Sequence, residues 1–318
     1  MSTKDIVIGI DTSNYTTSIA LMSTKGELVA NIKRLLPVEL GQCGLRQSDA
    51  LFAHTKALPE LMRAAREHLE GARVRAIGVS TRPRNVEGSY MPVFLAGMSV
   101  AESLSAVTGA PLYTFSHQCG HIMAALFSSG RMDMLSDKFA AVHASGGTTE
   151  LLKVSGSSFG FDAELVGGTL DLNAGQVIDR VGVMLGMPFP AGKYLEAEAL
   201  KFKGKPYRPK LAVKGLEFNL SGVQNIAERL HRDGTGVPEI AAFVFDYIGR
   251  SICAILKEYQ DRYGNSAVVC AGGVMCNSII KGMIAKSFDA YFAEPAMSAD
   301  NAVGIAALAR TSYIAGAE

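Results

Sequence analysis

Runs of apolar, β-branched residues alternate with short clusters of small polar residues at the start of the chain. Residues 6–10 are apolar, residues 11–14 form a turn cluster, and residues 17–22 return to the apolar pattern. Two such runs around a polar turn predict a β-hairpin. The Lys25-Gly26 pair predicts a further turn that leads into a third strand near residues 27–36.

The same pattern returns in the middle of the chain. Residues 140–144 are apolar, Ser145-Gly146-Gly147-Thr148 is a turn, and residues 149–154 predict the returning strand. A second copy of strand, small polar turn and strand is typical of a duplicated domain core. Hairpins in general share this pattern, so the pair alone leaves both interpretations open.

Helical and strand-like patterns alternate along the rest of the chain. Apolar residues at helical spacing predict helices over residues 48–70, 90–107, 173–185, 221–232, 237–263, 277–286 and 300–315. Short apolar runs predict strands over residues 75–80, 111–115, 267–271 and 289–293. Strands that alternate with helices predict an α/β fold. The last helix is expected to be capped by Ser298 or Asp300.

Composition restricts the class of protein. The 318 residues are 48% hydrophobic and 19% charged, which is typical of a globular chain long enough for two domains. The net charge of +1 argues against a globally positive nucleic-acid binder but permits a local basic patch. Five cysteines without a paired framework favour a reducing compartment. Because Asp11 breaks the first apolar run and no apolar stretch could span a bilayer, we expect a cytoplasmic protein without a signal peptide.

His117 and His121 form the most informative pair of side chains. A predicted strand precedes them and an apolar helical run at residues 122–127 follows, so the pair falls at the start of a helix. Residues four apart lie on one face of a helix and can bind one metal ion. Packed or capping histidines have the same spacing, and this alternative stays open.

Asp300, which opens the last predicted helix, is a candidate for a third ligand. Its carboxylate would complete a set of two histidines and one carboxylate, which suits iron or zinc with positions left for substrate oxygens. A role as helix N-cap would account equally well for an aspartate at this place.

Three turns have the small residues that phosphate binding requires, namely residues 11–14, 145–149 and 271–274. Glycine and small hydroxyl residues let a phosphate approach backbone N–H groups closely. None of the three is a P-loop or a Gly-x-Gly-x-x-Gly motif. Asp11 ends the first predicted strand, where a carboxylate would hold a metal or a water. A turn aspartate that bonds its own backbone is the alternative.

Taken together, these motifs resemble the TsaD-type tRNA threonylcarbamoyladenosine transferases, formerly classed as O-sialoglycoprotein endopeptidases (glycoproteases, peptidase family M22). The resemblance covers nearly the whole chain. The matching elements are Gly9-Ile10-Asp11-Thr12-Ser13, His117-x-x-Gly120-His121, Ser145-Gly146-Gly147, Ala174-Gly175-x-x-x-Asp179, Pro190-Ala191-Gly192, Phe218-x-x-Ser221-Gly222, Gly272-Gly273-Val274-x-x-Asn277 and Asp300-Asn301. The order and spacing of so many elements are specific for the fold.

The resemblance implies a two-lobed actin-like ATPase fold, shared with sugar kinases, heat-shock proteins and actin, with a duplicated core and a ligand cleft between the lobes. It implies an N-terminal lobe over residues 1–114 and a C-terminal lobe over residues 115–318, with the last helix packing back on the N-terminal lobe. The implied reaction is metal-dependent transfer of a threonylcarbamoyl group from threonylcarbamoyl-adenylate to N6 of adenosine 37 in tRNA. The nucleotide would be an adenylate or ATP, and AMP would leave.

The resemblance also implies roles for individual residues. His117, His121 and Asp300 would hold the metal, iron or zinc. Asp11 and Asp179 would act in catalysis. The adenylate would be bound by Ser145, Gly146, Gly147, Thr148, Thr149, Asp179, Gly192, Gly272, Gly273 and Asn277, with Asp179 and Gly192 near the ribose.

Several positions depart from the family pattern. The acidic pair that follows the family's opening motif is Tyr15-Thr16 here, and the loop histidine is Thr148. The acidic residue of the metal motif is Cys119, and that of the Ala-Gly-Glu motif is Gln176. Arg82-Pro83-Arg84 replaces a Gly-Pro-Gly loop. Because the lost acids are candidate general bases, we expect a divergent member of the family.

Other functions are compatible with the same sequence. A paralogous carbamoyl or acyl transferase would use the same metal and adenylate chemistry on a different acceptor. A non-catalytic partner subunit would share the fold, although the retained His117, His121 and Asp300 argue against that role. A protease has little support, because no His-Glu-x-x-His is present to supply a base.

Two surfaces are candidates for partners. Residues 201–210 are basic with aromatic residues interleaved, which suits an RNA backbone; a solvated lysine-rich loop is the alternative. In the family, the helix at residues 48–70 corresponds to part of a surface that meets a partner protein; an apolar face that belongs to the ordinary core is the alternative. We therefore expect tRNA and either a paralogous partner or a second copy of the chain, and no membrane.

Overall fold

The computed structural model describes residues 4–13, 15–37, 45–157, 160–299 and 302–316. Within these residues the chain forms two compact units. Unit 1 comprises the described residues of Met1–Asp137, Ser155–Ala163 and Ala296–Glu318, and unit 2 comprises those of Lys138–Val154 and Glu164–Pro295. None of the described helices is long and apolar enough to cross a membrane.

Unit 1 is built around a mixed sheet. Its strands are β1 (Lys4–Asp11), β2 (Thr16–Ser23), β3 (Leu28–Leu35), β4 (Ala72–Arg82) and β5 (Leu112–Ser116). They lie in the order β3-β2-β1-β4-β5. The pairs β1–β2 and β2–β3 are antiparallel, which confirms the predicted hairpin and its third strand, whereas β1–β4 and β4–β5 are parallel.

Helices cover both faces of this sheet. They are α1 (Gln47–Leu69), α2 (Phe94–Thr108), α3 (His117–Ser128) and α10 (Val303–Ala315). Ile6, Ile8 and Ile10 of β1 are buried in one cluster with residues of α1 and α2. Val7, between them, is buried in another cluster with Ala309 of α10. This division follows from the alternation of side chains along a strand.

Two glycines bring α3 and α10 into close contact. A Cβ at Gly304 of α10 would overlap the carbonyl oxygen of Gly120 in α3. Because Gly120 directly precedes His121, this contact fixes the helix that holds the two histidines. In the described residues α3 groups with unit 1, whose first segment ends at Asp137. The lobe boundary after residue 114 stays a prediction.

Unit 2 contains a second mixed sheet. Its strands are β6 (Lys138–Ala144), β7 (Thr149–Ser157), β8 (Gly160–Thr169), β9 (Val213–Lys214), β10 (Glu217–Phe218), β11 (Val268–Ala271) and β12 (Ala290–Phe292), although residues 155–163 of β7 and β8 group with unit 1. The helices of this part of the chain are α4 (Ala174–Met184), α5 (Gly192–Ala199), α6 (Ser221–Arg232), α7 (Val237–Tyr263), α8 (Ser278–Ser287) and α9 (Pro295–Ser298). Phe243, Phe245 and Ile248 of α7 belong to the hydrophobic core of this unit.

The two sheets share one strand order. In the described residues the second sheet runs β12-β11-β6-β7-β8-β10-β9, so β8-β7-β6-β11-β12 repeats the order β3-β2-β1-β4-β5 of the first. The parallel pairs are equivalent as well, because β6 pairs with β11, and β11 with β12, in parallel. The repeat confirms the duplicated α/β core that the two hairpin patterns suggest.

Several described elements differ from the sequence prediction, which also lacks the short β9, β10 and α9. The pattern does not predict β8, because its glycine- and serine-rich start obscures a short alternation in which Phe161 and Ala163 are buried. It does not predict α5, which begins with Gly192, a residue that disfavours helices. The last helix begins at Val303, later than predicted, and its N-cap is Ala302 without a capping side chain.

Gly304→Ala is expected to lower the free energy of unfolding by about 2–3 kcal/mol, because the added Cβ must push α10 away from α3. Gly282→Ala is the matched control. Gly282 is an exposed position of α8 with no atom near the new Cβ, so alanine there should stabilise the protein by about 0.5–1 kcal/mol. Urea unfolding followed by circular dichroism measures both. An equal response of the two variants would contradict the close helix contact.

Candidate active site

The imidazoles of His117 and His121 face each other on the first turns of α3. Their Nε2 atoms are 3.0 Å apart and their ring centroids 4.4 Å apart. The helix starts at this point because the Ser116 side chain caps it, accepting a hydrogen bond of 3.1 Å from the backbone N–H of Cys119. A metal ion with bonds of about 2.1 Å to nitrogen can bind two nitrogens at this separation.

Asp11, at the end of β1, orients His117. The Nδ1 atom of His117 lies 3.3 Å from Oδ1 and 3.2 Å from Oδ2 of the fully buried Asp11 carboxylate. The Ser13 hydroxyl donates to Oδ2 at 2.7 Å, and the Ser80 hydroxyl of β4 donates a short hydrogen bond to Oδ1. A carboxylate behind Nδ1 favours a proton on that atom, so the lone pair of the ring lies on Nε2, the atom that would bind a metal.

The protonation state of Asp11 agrees with this role. Burial alone would raise the pKa of its carboxyl, but the His117 ring and the hydroxyls of Ser80 and Ser13 together hold that pKa below its ordinary value. Asp11 is therefore an ionised anchor. It is not a turn aspartate that bonds only its own backbone, which was the alternative that the sequence left open.

The start of α2 contacts both His117 and the turn that follows β1. The ring of Phe94, the first residue of α2, lies 6.4 Å from the His117 ring, centroid to centroid. Thr12 Oγ1 donates to the carbonyl of Val93 at 3.0 Å and accepts from the N–H of Gly97 at 3.2 Å. These contacts tie the start of α2 to the turn that follows Asp11.

The third predicted ligand cannot be placed. Asp300 and Asn301 lie outside the described residues. Among the residues that the structure describes, no group of three or more His, Cys, Asp or Glu side chains is arranged to hold a metal. The described geometry thus brings together His117, His121 and Asp11, of which Asp11 stands behind a ligand.

The turn at 145–149 lies against the start of α4 in unit 2. The N–H of Ser145 donates to the Thr148 carbonyl at 2.8 Å, and Thr149 Oγ1 accepts from the N–H of Ala174 at 2.8 Å. A Cβ at Gly175 would lie 2.5 Å from the Ser145 carbonyl oxygen, so glycine is needed for this approach. By contrast, a Cβ at Gly146 or Gly147 would meet no atom within 4 Å. The outer part of the turn thus leaves room for a ligand at the backbone.

Asp179 of α4 holds the residue that precedes Gly192, the first residue of α5. Its Oδ1 accepts a hydrogen bond of 2.8 Å from the N–H of Ala191. Burial raises the pKa of this carboxyl, and the Ala191 N–H partly opposes the change. Asp179 and Gly192 are therefore neighbours in space, as their assignment to one ribose requires, while one carboxylate oxygen is already used by the protein.

The turn at 271–274 and Asn277 lie beside the turn at 145–149, because β11 pairs with β6. Gly272 has a φ of +93° and a Cβ there would overlap the Ala144 carbonyl oxygen, so only glycine fits. Asn277 Oδ1 caps α8 by accepting from the N–H groups of Ile279 and Ile280. Its buried Nδ2 has no hydrogen-bond partner among the described residues. Such a donor is costly to bury unless a ligand acceptor satisfies it.

Asp171 is a structural centre of this region that the sequence analysis does not identify. Its Oδ1 accepts from the N–H groups of Leu172 and Leu220 at 2.6 and 2.7 Å, and its Oδ2 accepts from Ser221 N at 3.2 Å. These bonds fix the start of α6, where the Phe218-x-x-Ser221-Gly222 motif lies. The sequence offers only a weak signal for it, a lone aspartate two residues before the predicted helix at residues 173–185.

Two of the positions that depart from the family pattern have local structural roles. Gln176 completes a capping box at the start of α4, where its Oε1 accepts from the N–H of Asn173 at 3.0 Å. Cys119 is buried on α3, and burial raises the pKa of its thiol, so the thiol stays protonated and unreactive. Neither residue supplies an acid or a base to the site.

Comparisons with known proteins identify relatives of the chain. A family model described as "TsaD: tRNA N6-adenosine threonylcarbamoyltransferase" matches residues 44–307. A tRNA N6-adenosine threonylcarbamoyltransferase of Rhizobium etli (strain CIAT 652) is 29% identical over 94% of this chain and 87% of its own length.

Solved structures identify the fold. HypF of T. kodakarensis matches with a TM-score of 0.66 at 15% identity over 99% of this chain, which spans only 48% of HypF. Component A of the Acidaminococcus fermentans (R)-2-hydroxyglutaryl-CoA dehydratase matches with a TM-score of 0.58 at 14% identity, covering 98% of this chain and 99% of the other. Both have the actin-like ATPase fold, which confirms the predicted fold class.

Asp171→Asn is expected to lower the free energy of unfolding at pH 7 by about 1–2 kcal/mol. The amide keeps one acceptor oxygen, but its NH2 group replaces the other and would face backbone N–H donors. Burial alone would raise the pKa of the Asp171 carboxyl, but hydrogen bonds from the Ser221 side chain and three backbone N–H groups hold that pKa below its unfolded value. The carboxylate therefore stabilises the fold fully above about pH 4, and this contribution declines at lower pH.

Urea unfolding of the wild type and the Asp171→Asn variant between pH 7 and pH 3 measures this difference. The two curves should approach each other as the pH falls. Asp261→Asn, at an exposed position of α7, is the control and should change stability by less than about 0.5 kcal/mol at any pH. A difference between wild type and Asp171→Asn that does not depend on pH would contradict the assigned role.

Proposed function

Because the chain belongs to the TsaD family of tRNA N6-adenosine threonylcarbamoyltransferases, we propose that it transfers a threonylcarbamoyl group from threonylcarbamoyl-adenylate to N6 of adenosine 37 in tRNA. The N6 amine attacks the carbamoyl carbonyl carbon and forms a new C–N bond. The bond between that carbon and the phosphate oxygen breaks, AMP leaves, and one N6 proton is released. The family match over most of the chain is the observation that carries this proposal.

His117 and His121 are the proposed protein ligands of one divalent metal, iron or zinc. Their Nε2 atoms, 3.0 Å apart, fit two positions of one coordination sphere. Asp300 is the proposed third ligand; it is close in sequence to Gly304, which packs against α3. When bound, the metal supplies a Lewis acid that polarises the carbonyl under attack.

Unit 2 supplies the proposed adenylate site. A Cβ at Gly146, Gly147 or Gly273 would meet no atom within 4 Å, so phosphate oxygens can approach the backbone at these glycines. The hydroxyls of the 145–149 turn also suit phosphate oxygens. The buried Nδ2 of Asn277 suits a ligand acceptor. Asp179 and Gly192 suit the ribose, because a carboxylate oxygen accepts hydrogen bonds from hydroxyl groups.

The two carboxylates proposed for catalysis have different roles. Asp179 has a pKa raised by burial, which brings it closer to the range of a useful base, and only one of its oxygens is bound by the protein. Asp11 faces Ser13, Ser80 and His117 and has a lowered pKa. We therefore assign Asp11 as a positioning residue that acts through His117.

A transferase with the same donor but a different acceptor is the second candidate. The observation that favours it is the use of Gln176 as a helix cap and of Cys119 as a buried thiol, where the family pattern has acids. These changes leave the histidine pair and the adenylate turns in place, so they bear on the acceptor and its proton more than on the donor.

Complementation distinguishes the two candidates. A bacterium depleted of its own synthase would express this chain or its His121→Ala variant, and mass spectrometry would quantify threonylcarbamoyladenosine in digested tRNA. We expect the wild-type chain to restore the modification and the variant to fail. If the wild-type chain is folded and releases AMP from purified threonylcarbamoyl-adenylate with a small-molecule acceptor but never with tRNA, the second candidate replaces the first.

Asp11→Asn is expected to weaken metal binding about 10–100-fold, because second-sphere partners of ligating histidines have effects of this size. His117→Ala combined with His121→Ala should abolish the binding. His68→Ala, at the exposed end of α1, is the control and should bind like the wild type. Competition with a chromophoric chelator gives the affinity for the metal, and elemental analysis gives the metal content of the purified protein. Equal affinity in Asp11→Asn and wild type would remove the positioning role.

A further inference from the structure

A basic segment, residues 201–212, joins α5 to β9 on the surface of unit 2. It contains Lys201, Lys203, Lys205, Arg208 and Lys210 and no acidic residue. It has neither helical nor strand structure. Such a run is usually a flexible, solvated loop, so its position in the fold decides whether it has another role.

Three contacts hold this basic segment to α7. The ring of Tyr207 lies 5.9 Å from that of Phe243, centroid to centroid. Arg208 Nη2 forms an ion pair of 2.7 Å with Oδ1 of Asp246. The hydroxyl of Tyr247 accepts a hydrogen bond of 2.9 Å from the N–H of Ala212. Because the three helix residues lie within one turn or so of each other, one face of α7 fixes the segment along its second half.

Asp246 forms ion pairs with two arginines, Arg208 and Arg250. Its Oδ2 also accepts from Arg250 Nε at 2.8 Å, and only 8% of its side chain is exposed. The carboxylate therefore neutralises one of two guanidinium groups, and the triad keeps a net positive charge. Asp246 contributes to the order of the segment without cancelling its field.

The free cations of the segment face solvent. Lys205 and Lys210 are exposed and have no ion-pair partner among the described residues. Tyr207 lies between them in sequence and is 43% exposed while its ring packs on Phe243. Pro206 and Pro209 restrict the backbone around it, which lowers the entropy that binding must remove.

We infer that the basic segment is a docking strip for the sugar–phosphate backbone of tRNA. Lysine side chains on an ordered segment attract phosphates. The exposed ring of Tyr207, whose position is fixed by packing on Phe243, offers a surface on which an unpaired nucleotide can stack. An acidic protein would also be attracted by the lysines, but it would not require the tyrosine. The inference rests on the proposed function, in which RNA is the acceptor.

Charge reversal tests the strip. Lys205→Glu combined with Lys210→Glu should lower tRNA affinity about tenfold or more near 100 mM salt, and should reduce the slope of log K against log salt by about 1.4–1.8. Lys257→Glu combined with Lys286→Glu is the matched control. Both of these lysines are exposed in unit 2 without described ion-pair partners, and the net charge changes equally. Fluorescence anisotropy of labelled tRNA measures all three proteins. Equal losses in the two double variants would overturn the inference.

Asp246→Asn separates a fixed strip from simple attraction. This variant removes a negative charge, so attraction alone predicts tighter tRNA binding. If the order of the segment matters, binding should be weaker by about threefold or more, because the segment loses the Arg208–Asp246 ion pair to α7 and must be ordered on binding. Circular dichroism and thermal unfolding establish that the variant is folded. Unchanged or tighter binding by folded protein would contradict the strip.

These binding measurements use no acyl donor and so are independent of the transfer reaction. Binding that depends on Lys205 and Lys210, in a protein that never modifies tRNA, would contradict the proposed function and support the strip. Transfer to tRNA with no effect of the Lys205 and Lys210 substitutions on affinity would support the function and overturn the strip. Tyr207→Leu keeps the packing on Phe243 apolar and should weaken tRNA binding but not binding of an acidic polypeptide.

Discussion

The described part of the histidine site depends on the hydrogen bonds that the buried carboxylate of Asp11 makes with its neighbours. Asp11 ends β1, accepts a hydroxyl hydrogen bond from Ser80 of β4 and faces Nδ1 of His117 on α3. A buried charge is costly unless hydrogen bonds and an opposite charge compensate it. One anionic group thus joins two strands to the helix that carries the two histidines, so the position of the histidine pair is coupled to the stability of the sheet.

Unit 2 builds its candidate site in a different way, from backbone groups and close approaches. Gly175 and Gly272 allow the turns at 145–149 and 271–274 to meet neighbouring carbonyl groups where any side chain would collide. Asp179 and Asn277 fix the adjacent loop and helix through backbone N–H groups. Neutral N–H donors suit phosphate, because they bind it without adding a buried charge of their own.

The sequence was sufficient for features that depend on residues close together in the chain. The spacing of His117 and His121 predicted rings on one face of a helix. The paired hairpins left a duplicated core open as one of two interpretations, and the family resemblance implied it. Contacts between distant residues could not be predicted, because Ser80 meets Asp11 across 69 residues and Asp171 meets Leu220 across 49. A turn aspartate and a buried anchor look alike in sequence. They differ only in which donors the fold brings from elsewhere.

Two of the departures from the family pattern, Gln176 and Cys119, replace acids by neutral side chains that have local structural roles. An acid at position 176 would bring charge to the start of α4, whereas Gln176 makes the capping hydrogen bond as a neutral group. An ionised residue at position 119 would need a partner, whereas the Cys119 thiol is buried at little cost as a small apolar group. The replacements therefore preserve the local structure of both helices while removing charge from them. They leave in place the groups proposed to orient a ligand, namely the Asp11–His117 pair, the glycine turns and Asn277. The framework of the candidate site therefore does not depend on the acids that the family pattern has at positions 119 and 176.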